Sequence, residues 1–470
     1  MREGRGRPLI DGVVRAAGQL EIADPATGVL VGRHRMASAV EVRDAVRRAR
    51  AAHQHWRTVP PAERGAALAE AADALRTRAG QLAELDHRET GQPLAAALAE
   101  VAAAAATLDR LAVLGPLHRS AGLHDTIDPI DCRVTEPRGV AAVITPWHHP
   151  LVASAGLIGA ALVTGNTVVH KPSERCPQLG VQFGEILGGC LPHGVLITVV
   201  GDGRSGALLA ADPDVDVVAH AGSGTTAQAI AMAAALTGAR VIARPGGRRP
   251  LLVDVDVDPV WAAEQVAAQA FTSHGCQRIY AHRGVAGPFL DALVARAHAV
   301  NASGALPPLA DRQLRGVLAA QVDRAVASGA RCPAGGAIPP GPGAFYPATV
   351  LGDCTPWMEV MAGDAAGPIA PTMVVDRFDD ALLAAAHGGR AAAVTVLTTD
   401  LDHARRAIVE LPTGRLVMDS GVEPRAGARP FDAGGIDGTA GIDDDALGYG
   451  TELLDGFARV KVVRWPAARR

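Results

Sequence analysis

Lys171 and Glu174 stand three residues apart, just past the β-branched run Thr167-Val168-Val169-His170. An ammonium and a carboxylate so spaced at a strand end can hold the two hydroxyls of one ribose, a bidentate grip on a nucleotide. Taken alone, the pair is equally a solvated turn after a strand. Gly201-Asp202-Gly203-Arg204-Ser205-Gly206 is a literal GxGxxG between an expected strand and an expected helix, where glycines let the backbone approach a pyrophosphate. It lacks the acid expected about 20 residues further on at the end of the next strand, since Asp214 and Asp216 precede that strand. Carbonyl chemistry needs a nucleophile, and Phe271-Thr272-Ser273-His274-Gly275-Cys276-Gln277-Arg278 offers Cys276 with Ser273 close by. A lone cysteine is also a common inert core residue. His148, His149 and His274 have ordinary pKa values near neutrality, so each can donate an N–H to an oxyanion or take up a proton, although a lone histidine is more often structural. Arg244 cannot serve as a base, because a guanidinium keeps its proton at neutral pH. It can lower the pKa of a nearby thiol or bind a carboxylate.

These groups need a scaffold. At 470 residues the chain exceeds one ordinary core and predicts two or three subdomains. Its 48% hydrophobic content, carried by Ala, Val and Leu with few aromatics, suits Ala-rich helices layered on Val-rich strands. The 45 basic and 49 acidic residues are interspersed, so there is no footprint for nucleic acid or an anionic membrane, and small molecules or copies of the chain are the expected partners. Cys132, Cys176, Cys190, Cys276, Cys332 and Cys354 form neither a metal-type spacing nor a disulfide framework, which predicts a reducing, cytoplasmic setting. Met1 to Gly12 is polar and Arg-rich without the apolar core of a signal peptide. The apolar run Leu151 to Val169 is long enough to suggest a membrane span, but Gly156, Gly159, Thr164, Gly165 and Asn166 divide it into a buried helix, a turn and a strand.

Val40, Val42, Val46 and Ala49 recur at helical spacing from Ser38, and Pro61 to Gly80 and Ala95 to Leu111 continue as Ala/Leu helices. Between Val140 and Ala243, short β-branched runs (Val140 to Ile144, Thr167 to His170, Leu196 to Val200, Val217 to Ala219, Val241 to Ala243) alternate with helical stretches. That alternation predicts a parallel, doubly wound sheet with ligands at the carboxyl ends of its strands. Gly246-Gly247-Arg248-Arg249-Pro250 reads as the hinge into a second α/β unit reaching about Gly421, with strands at Ile279 to His282, Thr372 to Val375 and Val394 to Thr398. Pro333 to Gly343 is an expected surface loop.

Pro146-Trp147-His148-His149-Pro150, with Gly165-Asn166-Thr167-Val168-Val169-His170-Lys171-Pro172-Ser173-Glu174 after it, resembles the aldehyde dehydrogenase family. The likeness extends over nearly the whole chain through Asp24-Pro25-Ala26-Thr27-Gly28, Trp56 with Arg64, Glu89-Thr90-Gly91-Gln92-Pro93, Phe345-Tyr346-Pro347-Ala348-Thr349-Val350-Leu351 and Gly367-Pro368. It implies an α/β fold with a doubly wound, parallel-sheet nucleotide-binding domain (1–117 and 139–247), a second α/β catalytic domain (248–421) and a small oligomerisation subdomain (118–138 and 441–470). By the same likeness, NAD sits on Ile144, Thr145, Pro146, Trp147, Lys171, Ser173, Glu174 and Gly203, on the helix start at Gly222 and Ser223, and on Asp364. Glu174 favours NAD by repelling the 2'-phosphate of NADP, though Lys171 and Ser173 leave NADP possible.

The chemical half departs from the family pattern. The family's oxyanion Asn is His148, its general-base Glu is Arg244, its Phe beside the nicotinamide is Ala366, and the loop around Cys276 is shortened on both sides, so that anchoring on Arg278 puts Ser273 at the nucleophile position. The resemblance implies aldehyde oxidation through a thiohemiacetal and thioester on Cys276, with His148 as oxyanion donor or base. Arg244 opens two alternatives: release of the thioester to a thiol such as coenzyme A, or a pseudoenzyme that keeps the fold without the redox chemistry. A homodimer or homotetramer is implied as well.

Overall fold

The structure, a computed structural model, describes residues 13–14, 18–118, 121–123, 130–246, 249–272, 278–363, 367–387, 391, 393–419 and 451–465. A hairpin of strands Gly18–Ala23 and Leu30–Met36, joined through the Asp24 turn, precedes the first helices. Helix Ala39–Trp56 starts at Ser38, whose hydroxyl accepts from the Glu41 N–H while the Glu41 carboxylate accepts from the Ser38 N–H. This reciprocal cap satisfies two otherwise orphaned donors. The buried stripe of that helix is Val42, Ala45, Val46, Ala49, His53 and Trp56. Val40, expected in the stripe, is exposed, because the residue two before Val42 points to the other side of a 3.6-residue turn.

Helices Pro61–Thr77, Ala79–Thr90 and Leu94–Leu117 follow, and then a six-stranded parallel sheet is laid down. Its spatial order is Val13–Val14, Leu196–Val199, Thr167–Lys171, Val140–Ile144, Val217–Ser223, Arg240–Gly246. The chain builds outward from Val140–Ile144 in one direction and then restarts on its other side with Val217–Ser223, so the order reverses between those two strands. Ala141, Val143, Val168 and Val217 face one core with helices Leu94–Leu117, Pro150–Val163 and Pro177–Gly188. Val140, Ala142, Val169 and Val218 face another with helix Ala39–Trp56. Burial on both faces explains why these strands read as unbroken apolar runs rather than alternating ones. The run from Leu151 resolves into the buried helix Pro150–Val163 and the strand Thr167–Lys171, as its glycines predict. Each of its fully buried leucines contributes roughly 1.5–3 kcal/mol. No described helix is long and apolar enough to cross a membrane.

The second sheet runs Arg331–Ala334, Thr349–Gly352, Ile369–Val375, Arg278–His282, Pro250–Val253, Val394–Leu397, Leu416–Met418, parallel except for its first member. Its order reverses between Pro250–Val253 and Val394–Leu397. The carboxyl ends there carry Asp254, which accepts from the Thr398 hydroxyl (2.8 Å) and pairs with His403 Nδ1 (2.5 Å), while the His403 ring stacks on Phe378 at 4.1 Å. A third, antiparallel sheet joins Ala121–Leu123, Ile130–Pro137 and Ala458–Trp465, bringing the expected oligomerisation segments together.

Candidate active site

The register of the first sheet sets Ile144 opposite Lys171 on one side and His220 on the other, so the three share one row, at which the strands of Ile144 and Lys171 end while that of His220 runs on to Ser223. Lys171 Nζ, almost fully buried, donates to Glu174 (3.2 Å) and to the Pro172 carbonyl (3.0 Å). Burial works against ionisation of Glu174, but Lys171 outweighs it and holds that carboxyl below its usual range. Ser173 is buried, its hydroxyl accepting from the Arg175 N–H. Arg175 crosses to Asp311 in the second lobe at 2.6 Å, bracing the turn that carries Glu174. Thr145 donates its N–H to the Lys171 carbonyl (3.1 Å), and its hydroxyl meets His170 Nε2 at 2.9 Å. Burial pushes the His170 pKa down to about 3, with Lys171 adding to the effect, so the ring is neutral.

Two helices start at this end of the sheet. Asp202 caps Gly203–Ala210 through the Arg204 N–H, and Ser223 caps Gly224–Thr237 through the Thr226 N–H. A Cβ at Gly201 would lie 2.0 Å from Ser205 Oγ, which makes it the glycine that the GxGxxG turn requires. At Gly222 a Cβ would lie 2.6 Å from the His220 ring. His220 is buried at the point of order reversal, and neither ring nitrogen makes a hydrogen bond of good geometry, although the backbone at Ile144 and Ser223 lies close. Burial is the main cause that pushes its pKa down to about 4. An orphaned imidazole between a buried ammonium and two capped helix starts fits an anionic, hydroxyl-rich ligand such as a dinucleotide.

Beside this end, a cavity of about 450 Å³ separates the lobes. Gln92, His149 and Pro93 line it from the first lobe, and Phe271, Thr272 and Arg296 are among the residues lining it from the second. His149 has φ 47° and ψ 51°, a left-handed backbone that is rare for a residue with a Cβ. Its Nδ1 pairs at 3.1 Å with Glu100, whose carboxylate also accepts from the Leu151 N–H (2.9 Å) and from Gln92 Nε2 (3.1 Å). Glu100 thereby satisfies the first turn of helix Pro150–Val163 from a distant segment. Glu89 does the same for helix Pro177–Gly188, accepting from the Gln178 and Leu179 N–H groups. Burial raises the Glu89 carboxyl to about 7 despite those two donors. It raises Asp86 to about 7 as well, with Glu100 adding to the effect. The helix starts that Glu100 and Glu89 satisfy are remote along the chain, so their capping roles have no local signal in the sequence.

A family model described as the aldehyde dehydrogenase family matches residues 13–463. The chain belongs to that family. A betaine aldehyde dehydrogenase of Rhizobium leguminosarum bv. trifolii (strain WSM2304) is 30% identical over 420 residues, covering 85% of this chain and 86% of the relative. The solved lactaldehyde dehydrogenase from Escherichia coli is 26% identical with a TM-score of 0.87, covering 97% of this chain and 100% of that one. A betaine aldehyde dehydrogenase from Staphylococcus aureus, solved with NAD+, is 23% identical with a TM-score of 0.88, covering 97% of this chain and 95% of that one.

Membership makes this an oxidoreductase fold whose relatives bind NAD(P) and act on aldehydes. Of the residues singled out in the sequence, Ile144, Thr145, Lys171, Ser173, Glu174, Gly203, Gly222 and Ser223 converge on the carboxyl ends of the first sheet. Pro146 and Trp147 lie in the turn after Thr145, and the His148 ring sits 6.1 Å from that of Trp147 and 4.0 Å from that of His149. Cys276, Ser273, His274, Asp364 and Ala366 lie outside the described residues, as does the Arg244 side chain. Their segments are bracketed all the same. Residues 271–277 link helix Pro259–Ala270 to strand Arg278–His282, and the Arg278 guanidinium donates to the Gly363 carbonyl just before Asp364.

Proposed function

We propose that the chain is an NAD(P)-dependent aldehyde dehydrogenase that oxidises its substrate through a thiohemiacetal and thioester on Cys276. The observation that carries this reading is the row of Ile144, Lys171 and His220, with Lys171 paired to Glu174, next to a cavity bounded by Thr272 at the entrance to the Cys276 segment. Lys171, Ser173 and Glu174 take the adenine ribose, and the ionised Glu174 favours NAD over NADP. Backbone N–H groups at Gly222 and Ser223 face the pyrophosphate, Ile144, Thr145, Pro146, Trp147 and Gly203 wall the cleft, and Asp364 takes the second ribose. When bound, the nicotinamide supplies the acceptor for the two electrons lost by the aldehyde carbon. His148 donates to the substrate oxyanion. Arg244 cannot activate water, although its charge favours a Cys276 thiolate. Strand Ala458–Trp465, with exposed Val460 and Val462, suits pairing with a second copy, and the working form is a cytoplasmic homodimer or homotetramer.

The test has two arms. Thermal unfolding with NAD or NADP should show stabilisation, larger for NAD, and an aldehyde panel led by betaine aldehyde should yield NADH. A chain stabilised by neither nucleotide and silent toward every aldehyde sinks the reading in favour of a redox-inactive member. Loss of the family's base also favours a second reading, release of the acyl group to coenzyme A. It holds if product forms only when that thiol is added.

A further inference from the structure

The ribose turn carries one more charge than a grip on two hydroxyls needs, because Arg175 follows Glu174 directly and reaches across to the second lobe. We infer that Asp311, contributed by that lobe, makes this chain reject NADP by holding the Arg175 guanidinium away from the place a 2'-phosphate would take. This rests on the cofactor reading above, in which Lys171 and Glu174 receive the adenine ribose.

Three observations carry it. First, Arg175 is within reach of whatever Glu174 touches, since its Nη1 stands 3.7 Å from Glu174 Oε1 while Lys171 Nζ lies 3.2 Å from Oε2. The Glu174 carboxylate therefore has a cation beside each oxygen. Second, the guanidinium is committed elsewhere, because its Nε donates to Asp311 Oδ2 at 2.6 Å and both side chains are half-buried. Third, Asp311 is itself fixed. Its Oδ1 accepts from the Leu314 N–H (2.6 Å) and so caps helix Arg312–Ala327, whose Arg312 Nε donates to the Pro342 carbonyl at 2.8 Å. The loop that holds Pro342 is tied in turn to the first lobe, where the Ala344 N–H donates to the Pro25 carbonyl at 2.6 Å. A carboxylate anchored in this way sets where the arginine goes.

Lys171, Glu174, Arg175 and Asp311 alternate in sign and together carry no net charge. A 2'-phosphate brings about two negative charges, and this arrangement offers it no surplus cation. In dinucleotide sites an acid on the ribose hydroxyls goes with NAD, whereas a nearby arginine accommodates the extra phosphate of NADP. This chain has both groups. A guanidinium grips phosphate through a planar fork of N–H donors, and Asp311 already fills one edge of that fork. Selectivity thus depends on a residue 136 positions away from the arginine it restrains.

The test is calorimetric titration of the full chain with 5'-AMP and with 2',5'-ADP, two probes that differ by the 2'-phosphate alone. Wild type should take 5'-AMP more tightly. Asp311→Asn keeps a good helix cap and should raise the ratio of 2',5'-ADP to 5'-AMP affinity about tenfold, the worth of one charge-assisted hydrogen bond. Adding Arg175→Met to that variant should return the ratio to the wild-type value, and thermal stabilisation by NADP should follow the same order. An unchanged ratio in Asp311→Asn overturns the proposal. So does a gain that survives Arg175→Met, because simple removal of a negative charge would then explain it. A wild-type chain that already prefers 2',5'-ADP also overturns the proposal but spares the cofactor reading. If wild type binds neither probe and is not stabilised by NAD, the cofactor reading falls and takes this one with it.

Discussion

Both large sheets reverse their strand order, and both present polar side chains at the carboxyl ends where they do so, yet the two ends are finished differently. In the first, Lys171 and Glu174 are near one another but His220 has no well-aligned hydrogen bond, and capped helix starts point their N–H groups outward. In the second, Asp254 is sealed by Thr398 and His403, Asp419 accepts from the Thr398 N–H, and Asp256 accepts from the Thr399 N–H. Topology offers a site at each reversal. Side chains decide which one is left open. The second lobe instead meets the cleft through the end of helix Pro259–Ala270, where Ala267, Ala268, Phe271 and Thr272 line the cavity.

Four substitutions sharpen or break this contrast. Glu100→Ala should have the largest effect, because it strands the Leu151 N–H, Gln92 and His149 together. A loss of about 3 kcal/mol is expected from denaturant melts, and an unchanged midpoint would mean that the buried carboxylate does not hold the first lobe. Asp254→Ala should cost about 2 kcal/mol by orphaning Thr398 and His403, while NAD affinity measured by calorimetry stays constant. A change in affinity there would break the distinction between an open and a closed end. Lys171→Met keeps the aliphatic stem and should weaken NAD binding about tenfold, or about 1.4 kcal/mol, with little shift in melting.

Asp86→Asn is the subtlest. Burial raises the Asp86 carboxyl from 3.8 to about 7, so the folded chain binds that proton more tightly than the unfolded chain does. The stability it contributes is complete below the unfolded value and is lost as pH rises toward about 7. Asn stays neutral throughout and can still accept from Thr90. Denaturant midpoints at pH 8 should therefore favour Asp86→Asn by on the order of 1 kcal/mol, with the gap narrowing as pH falls through 7 toward 3.8.

Local rules carried most of the architecture. Ser38 and Glu41 announce a helix start, Thr164-Gly165-Asn166 announces a break, and Val-rich runs announce buried parallel strands, because each signal lies within a few residues of what it determines. Lys171 and Glu174 were legible for the same reason. The capping roles of Glu100 and Glu89 were not, since the helix starts they satisfy lie at Leu151 and at Gln178 and Leu179. His220 was missed because its meaning depends on register: only pairing with Ile144 sets it between two halves of the sheet. Strand Pro250–Val253 was absorbed into the hinge because it is short and begins with a proline.

The third sheet has a consequence for biosynthesis. Leu453, Leu454 and Phe457 sit in the first lobe's core, Asn166 donates to the Phe457 carbonyl, and Trp465 pairs with Ile130. The ribosome thus makes the entire second lobe before supplying the pieces that finish the first. Until then the earlier half emerges with an unfilled apolar slot, a long-range closure that slows folding and leaves a natural place for a chaperone to hold.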